Sequence, residues 1–256
     1  LNSLADLPLK LDLLIVGTSA NVRLDVLQNV LSGHQVHNLL LEKIVFNDLG
    51  HFSKFKKLTN SHKIDVRVNL GKRFDGLTSF LKSSKKMSSN ITMNVAGGNW
   101  GLLCNAIHFI DMVGFVSNRK LVKIEPNLSA PFLSKRQGFY EANGSIKCFF
   151  EDDTELNMIS KKSEAPISIK FSDKKNTFSW DECNQKVQDD KLGLNSRLDA
   201  PARFQSDITK DHIRQVSDGS YILLPRLDEV EDYHKKIIRC LLPYFKQNHI
   251  SGCPIT

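Results

Sequence analysis

The stretch LDLLIVGTSANVRLDVLQNVLSGHQVHNLLLEKIVF, residues 11–46, decides the fold class of this 256-residue chain. Residues 11–19 are a continuous apolar run that ends in small residues, which is typical of a strand buried on both faces of a parallel sheet. Residues 21–33 have apolar side chains at helical spacing and end at a glycine, and residues 37–46 form a second apolar run. Strand, helix and strand joined by short links predict a βαβ unit with a right-handed crossover.

Polar side chains follow both predicted strands. In open parallel sheets, ligands bind beyond the carboxyl ends of the strands. We therefore expect four residues on one ligand-facing edge, namely Thr18, Ser19, Glu42 and Lys43. A lysine at this place either orients a cofactor or substrate, or is an ordinary surface residue at the exit of a strand, and the sequence leaves both readings open.

The pattern of predicted helices and strands changes at about residue 119. Up to about residue 119 the patterns predict a basic surface helix, a half-buried strand, an amphipathic helix and another strand, at residues 51–60, 63–74, 74–87 and 90–99. Beyond that point, short alternating strands with turn signals predict an antiparallel sheet, followed by a polar loop with helical turns at 184–207 and a helix at 228–245. We predict an α/β fold with a partial Rossmann parallel sheet in residues 1–48, followed by an α+β domain with a large, mostly antiparallel sheet in residues 49–256.

The segment GGNWGLLCNAIHFIDMVGF, residues 97–115, combines paired glycines with an apolar helix. Helical spacing brings Cys104, Asn105, His108 and Asp111 to one flank, and the glycines would allow close approach of a ligand. A plain alternative is a histidine capped by Asp111 at the edge of the core. A Cys–His nucleophilic pair is disfavoured, because two residues on one helix rarely aim the sulfur at an oxyanion site. No complementary ligand cluster predicts a metal.

Composition narrows the class of protein. The net charge of +7 arises from 35 basic and 28 acidic residues that are dispersed along the chain, and the clusters KFKK (54–57) and KSSKK (82–86) are typical of solvated helix faces rather than of a nucleic-acid groove. No apolar run approaches the roughly 20 residues that a membrane helix needs. Five widely spaced cysteines without a C-x-x-C motif predict a reducing, cytoplasmic setting.

The order of these segments resembles that of the Gfo/Idh/MocA family, the NAD(P)-dependent oxidoreductases of the glucose–fructose oxidoreductase and inositol dehydrogenase type. Residues 13–46 resemble that family's fourth Rossmann strand, its helix and the strand that ends in a Glu-Lys-Pro motif. RVNLGKRF (67–74) resembles the strand after the crossover, and residues 97–115 resemble the helix with an Asp-x-x-x-His-x-x-Asp motif. The resemblance covers nearly the whole chain.

This resemblance implies a function and roles for particular residues. Lys43 matches the lysine that contacts nicotinamide and substrate hydroxyl, and His108 matches the acid/base histidine. Thr18, Ser19 and Glu42 fall at cofactor-binding positions, so the expected cofactor is NAD or NADP. The implied substrate is a sugar or nucleotide-sugar, by analogy in surface polysaccharide synthesis, and the predicted substrate-binding residues are Asn99, Trp100, Cys104 and Asn105.

Four positions depart from the family pattern. Ile44 and Ser19 stand where proline is usual, Arg23 where histidine is common, and Cys104 where aspartate is usual. The thiol motivates an alternative, a non-catalytic sugar-binding or regulatory protein of the same type. A third reading, a Cys–His hydrolase, would require a rapidly alkylated Cys104.

The family's glycine-rich G-x-G-x-x-G turn and its ribose-binding acidic residue have no counterpart in the chain. Two strand–helix units of about 30 residues each would supply them. We therefore expect the N-terminus to be incomplete and this piece alone to be inactive. We also expect a homo-oligomer that covers the open face of the antiparallel sheet.

Overall fold

The computed structural model describes residues 3–60, 63–83, 90–192 and 197–256, which form two compact units. Unit 1 comprises Leu1–Leu70 and Thr209–Thr256, and unit 2 comprises Gly71–Ile208. The domain boundary after residue 48 stays a prediction, and the compact units divide at other places. In particular, the C-terminal helix belongs to unit 1.

Unit 1 contains the predicted βαβ element and its continuation. A three-stranded parallel sheet has the order β1-β2-β3. The elements of this part are β1 Lys10–Val16, α1 Arg23–Gly33, β2 Gln35–Leu41, α2 Leu49–Asn60 and β3 Asp65–Val68, after a short 3-10 turn at Leu4–Asp6. Val16 pairs with Leu41 and Leu41 with Val68, so the three strands end level with one another. The segments beyond them therefore meet at one edge of the sheet.

The C-terminal helix completes the core of unit 1. Helix α6, Leu227–Gln247, packs against α2 and β3, and its fully buried residues recur at helical spacing: Val230, His234, Ile237, Ile238, Leu241 and Phe245. This amphipathic face explains why the helix packs in the core of unit 1, although most of that unit precedes it by more than 150 residues.

Unit 2 is built on an eight-stranded sheet with the order β13-β12-β11-β10-β4-β9-β8-β5. Its strands are β4 Thr92–Gly98, β5 Leu121–Leu128, β8 Gly144–Phe150, β9 Glu155–Lys161, β10 Ser168–Ser172, β11 Thr177–Asp181, β12 Lys186–Asp189 and β13 Leu198–Asp199. Only the β4–β9 pair is parallel among the described strands of this sheet, which is therefore mostly antiparallel as predicted. Together with the parallel sheet of unit 1, this confirms the predicted fold class.

Alternation along the strands gives the large sheet two unlike faces. Helix α4, Leu102–Ser117, packs on β8 and β9, over buried side chains such as Met93, Leu156 and Met158. The remaining helical elements of unit 2 are the 3-10 turn Gly71–Phe74 and α3 Gly76–Ser83, and a two-stranded sheet joins β6 Phe132–Leu133 to β7 Tyr140–Glu141. The opposite face of the large sheet is polar, and Lys170, Asn94, Asn157 and Lys147 lie in one row across four strands.

Three sequence-based expectations differ from the structure. Residues 184–207 are not a long loop: they include β12, β13 and the start of α5, Gln205–Asp218, because short polar strands at a sheet edge lack an apolar signal. The strand predicted at 63–74 is only Asp65–Val68, since Gly71 begins a 3-10 turn. The helix predicted at 74–87 is seen over Gly76–Ser83, and residues 84–87 lie outside the described residues.

The buried imidazole of His234 makes the stability of unit 1 depend on pH. Burial is the main cause that lowers the pKa of His234 to about 4, from an ordinary 6.5, and its Nδ1 donates a hydrogen bond to the Val230 carbonyl at 3.0 Å. Above pH 6.5 the folded and unfolded states both hold it neutral. As the pH falls from 6.5 to 4, His234 becomes protonated in the unfolded chain but stays mostly neutral in the folded one, so the free energy of unfolding decreases.

We expect urea unfolding at pH 4 to show about 3 kcal/mol less stability than at pH 7 from this one group. His234→Leu should remove most of that difference, whereas His37→Leu, at an exposed histidine on β2, should keep it. Burial also lowers the pKa of His212, which adds a smaller change of the same sign. An unaltered pH dependence in His234→Leu would contradict this assignment.

Candidate functional site

The edge at the carboxyl ends of β1 and β2 brings together the residues predicted to face a cofactor. The Thr18 hydroxyl is buried and has no hydrogen-bond partner among the described residues. Ser19 donates a hydrogen bond from its hydroxyl to Asn21 at 2.8 Å, and the Ala20 amide donates to the Thr256 hydroxyl at 3.0 Å. The turn after β1 is therefore ordered by one bond within the turn and one to residue 256, while the buried Thr18 hydroxyl lacks a partner among the described residues.

A buried arginine ties this turn to the end of β2. The Arg23 side chain is 1% exposed, and its Nη1 donates to the carbonyls of Glu42, Ile44 and Val45 at 2.8, 2.5 and 2.7 Å. Its Nη2 donates to the carbonyl of Thr18. One guanidinium thus connects both segments that carry predicted cofactor contacts, because its fork of donors can serve several acceptors at once.

The Glu42–Lys43 pair lies directly beyond β2. The Asn69 amide, which follows β3, donates a hydrogen bond to the Glu42 carboxylate. Lys43 is half-buried, and its positive charge contributes to lowering the pKa of His234, after burial. The peptide bond between Lys43 and Ile44 is cis. The hydrogen bonds of Glu42 and Ile44 to Asn69 and Arg23 hold the chain on both sides of the lysine.

In unit 2, a carboxylate from a distant strand caps α4. The helix begins after Gly101, which offers no side-chain cap. Glu141 of β7 supplies it: its carboxylate accepts hydrogen bonds from the amides of Leu103 and Cys104 at 2.8 and 3.0 Å. Burial raises the pKa of the Glu141 carboxyl, and hydrogen bonds from the Leu103 amide and the Cys104 thiol oppose that rise. Sequence reasoning missed Glu141, because nothing in its local pattern marks a cap for a helix 38 residues away.

The predicted substrate-binding residues lie before and within the first turn of α4, and two of them, Trp100 and Asn105, are hydrogen-bonded to each other. The Asn105 amide donates to the Trp100 carbonyl at 2.7 Å. Trp100 donates its indole N–H to the Ile159 carbonyl at 2.9 Å. The Asn99 amide donates to Glu164 at 3.4 Å and accepts from Asn143 at 3.5 Å. Cys104, Asn105 and His108 are half-buried on the same helix, so they lie in one region of unit 2.

The paired glycines allow the protein's own chain to pack closely against them. A Cβ at Gly98 would lie 2.2 Å from the Ser163 carbonyl oxygen, and one at Gly97 would lie 3.2 Å from Ile167. The amide of Gly98 also donates to the Ala165 carbonyl at 2.9 Å. Residues 163–167 therefore occupy the Cβ side of these glycines, and the close approach of a ligand to their backbone stays a prediction.

Asp111 has a charged partner that helical spacing did not reveal. The guanidinium of Arg73 donates from Nε and Nη2 to the two carboxylate oxygens of Asp111 at 2.9 and 2.7 Å, and both side chains are buried. The plain alternative of a histidine capped by Asp111 thus overlooked a bidentate ion pair that fixes the middle of α4. Lys43 and His108 belong to different units, and the structure describes each within its own unit.

Neither a metal site nor a membrane span is present in the described part of the chain. No group of three or more histidine, cysteine, aspartate or glutamate side chains is placed to hold a metal ion there. No helix within the same residues is long and apolar enough to cross a bilayer.

Comparison with known proteins gives a structural likeness only. No family model and no curated protein sequence matches the chain. Among solved structures, a UDP-N-acetylglucosamine 3-dehydrogenase from Acidithiobacillus ferrooxidans superposes with a TM-score of 0.67 at 12% identity, covering 94% of this chain and 78% of that one. A dehydrogenase from Chromobacterium violaceum gives 0.64 at 12% identity over 96% and 81% of the two chains. An oxidoreductase from Sinorhizobium meliloti gives 0.64 at 11% identity over 93% and 78%.

These matches confirm, for the fold, the predicted resemblance to Gfo/Idh/MocA-type oxidoreductases. At such low identity they do not by themselves assign an activity.

The hydrogen bonds from Arg23 to the carbonyls of Thr18, Glu42, Ile44 and Val45, here called the Arg23 clamp, predict that even a conservative substitution of Arg23 lowers the stability strongly. Arg23→Lys keeps the charge but loses the fork of donors, so buried carbonyls at Thr18 and at residues 42–45 would lack partners. We expect a loss of about 2–4 kcal/mol in urea unfolding. Arg119→Lys, at an exposed ion pair with Asp152, should cost less than about 1 kcal/mol. Equal effects at the two sites would rule out the clamp.

The Arg73–Asp111 pair predicts a second asymmetry. Asp111→Asn should destabilise the protein by about 3–5 kcal/mol, since it leaves a buried guanidinium without its counter-charge. Asp232→Asn, which breaks the exposed pair with Lys236, should cost about 1 kcal/mol or less. Replacing both buried partners, as Arg73→Met with Asp111→Leu, should recover part of the loss. Thermal unfolding of the three variants would measure this, and no recovery in the double variant would contradict it.

Proposed function

We propose that this chain carries the catalytic residues of an NAD(P)-dependent oxidoreductase that acts on a hydroxyl carbon of a sugar or nucleotide-sugar. The observation that carries the proposal is the clamped end of β2, where Arg23 holds the backbone on both sides of Lys43. The shared fold of dehydrogenases, one of which acts on a nucleotide-sugar by its name, supports the same reading.

The residues at this edge fit the nicotinamide end of the cofactor. The buried Thr18 hydroxyl, without a partner among the described residues, suits a polar group of a ligand, and Ser19, Glu42 and Lys43 would complete the contact. When bound, the nicotinamide would accept or give up the hydride. The choice between NAD and NADP belongs to residues that bind the ribose, so the proposal covers both.

Lys43 and His108 would do the chain's own chemistry. The Lys43 ammonium would bind the substrate oxygen and polarise its bond to carbon, and the His108 imidazole would take or return the hydroxyl proton. General acid–base help of this kind contributes roughly 10²–10⁴ in rate, so the remaining acceleration must come from holding the reactants in place. The bonds around Lys43 and the cap and ion pair of α4 would serve that purpose.

A non-catalytic sugar-binding or regulatory protein is the second candidate. It is favoured by position 104, where a thiol hydrogen-bonded to Glu141 stands in place of the family's aspartate. If this candidate is right, Cys104→Asp should create turnover in an inactive parent protein.

The product of the proposed reaction would be an oxidised or reduced sugar, and its use in surface polysaccharide synthesis is part of the proposal by analogy alone. We also propose a homo-oligomer, with the large sheet as its interface. The row of Lys170, Asn94, Asn157 and Lys147 makes the open face polar, so such an interface would be hydrated.

The test is an assay of the protein expressed from its complete open reading frame, with NAD⁺ or NADP⁺ and a panel of sugars and nucleotide-sugars. We expect Lys43→Ala and His108→Ala each to lower kcat at least about 100-fold with an unchanged circular dichroism spectrum. Lys174→Ala and His37→Ala, at exposed positions in a turn and on a strand, are the matched controls and should retain full turnover. Full activity of either active-site variant would defeat the assignment.

A further inference from the structure

The N-terminal turn of α4 gathers three polar side chains around a residue that has no side chain. Gly101 has a φ of 74°, and a Cβ at this position would lie 3.0 Å from the Asn105 amide, 3.3 Å from the Cys104 sulfur and 3.4 Å from the Glu141 carboxylate. The left-handed backbone favours a glycine there, and a side chain would be in tight contact with these three groups. The carboxylate, thiol and amide therefore converge on one small volume.

Glu141 is the only one of the three that comes from outside the helix. It lies on the two-residue strand β7 and is 7% exposed, and its two oxygens accept from successive amides, those of Leu103 and Cys104. The Cys104 thiol is a third donor to the same carboxylate. A negative charge at a helix N-terminus is favoured by the free amides and by the helix dipole.

These contacts reach the proposed acid/base residue through the helix itself. Cys104 and His108 are one turn apart, so any contact that fixes the rotation and axial position of the first turn also fixes the direction of the next one. Asn105 adds a bond from the same turn back to Trp100. The first turn is thus anchored from both sides, by a carboxylate and by an amide.

We propose that Glu141 is a positioning residue of the proposed site, which acts through the first turn of α4 and the Cys104 thiol on the helix face that carries Asn105 and His108. The inference rests on the proposed function for its catalytic meaning. The contact between carboxylate and thiol, in contrast, can be measured without any turnover.

The first measurement is alkylation of Cys104 by N-ethylmaleimide between pH 6 and 9, followed by peptide mass spectrometry. In Glu141→Gln the amide keeps an acceptor for the helix amides but removes the charge that opposes thiolate formation beside it. We expect Cys104 to react about tenfold faster at pH 7.5 than in the wild type, because the thiolate fraction should rise by about that factor. Glu141→Asp, with a carboxylate on a shorter side chain, should fall between the two.

Two controls separate this effect from loss of structure. The exposed Cys183 should react alike in all variants, and the buried Cys148 should stay unreactive unless unit 2 unfolds. Glu151→Gln is the matched substitution, because the exposed Glu151 carboxylate also accepts a hydrogen bond from a backbone amide, that of Lys120. It should leave the Cys104 rate unchanged. A Cys104 rate in Glu141→Gln within about twofold of the wild type would overturn the proposal.

The second measurement is the pH profile of kcat in the complete protein. We expect Glu141→Gln to lower kcat about tenfold, to displace the profile and to leave the KM for the nicotinamide cofactor unchanged, with partial rescue in Glu141→Asp. Faster alkylation with unaltered kcat, KM and profile would overturn the positioning role. If the wild type shows no turnover, both the proposed function and this positioning role are overturned. The alkylation result keeps its meaning in that case, because it reports only the contact between the Glu141 carboxylate and the Cys104 thiol.

Discussion

The candidate site of unit 1 depends on a single buried guanidinium. Arg23 donates to carbonyls of Thr18, Glu42, Ile44 and Val45, and so joins the turn after β1 to the segment after β2. The parallel register brings these segments to one edge, and beyond Leu41 one more backbone hydrogen bond joins β2 to β1, from the Glu42 amide to the Val16 carbonyl at 3.2 Å. In the segment after β2, Arg23 supplies hydrogen bonds to the backbone carbonyls, and this costs free energy because its charged group is kept out of water.

Local patterns predicted the elements that bury a continuous apolar face. The run before Gly17, the helix of residues 23–33 and the α4 helix all appear where apolar spacing placed them. Pairings across the chain were not predictable in this way. Glu141 caps a helix 38 residues upstream, and Arg73 meets Asp111 over the same separation, and neither partner differs locally from an ordinary surface charge.

Helix α4 shows how a functional flank can rest on contacts hidden from its own sequence. Helical periodicity grouped Cys104, Asn105, His108 and Asp111, but it could not reveal that Asp111 pairs with Arg73, a guanidinium from the turn before α3. The glycines at 97 and 98 also serve packing within the protein, because residues 163–167 lie where their side chains would be. The sequence therefore locates the reactive side chains, whereas tertiary contacts decide which of them have hydrogen-bond or ion-pair partners within the protein.

The parallel pair at the centre of the large sheet has a consequence for how unit 2 folds. Asn94 of β4 and Asn157 of β9 are neighbours although 63 residues separate them, and β10 reaches the other edge of β4 from still farther along the chain. Hairpins such as β8–β9 and β10–β11 can form early, yet neither gains a full layer until the chain has closed that long loop. We therefore expect the sheet of unit 2 to be completed late in folding and in one step, when β4 pairs with β9 on one side and with β10 on the other.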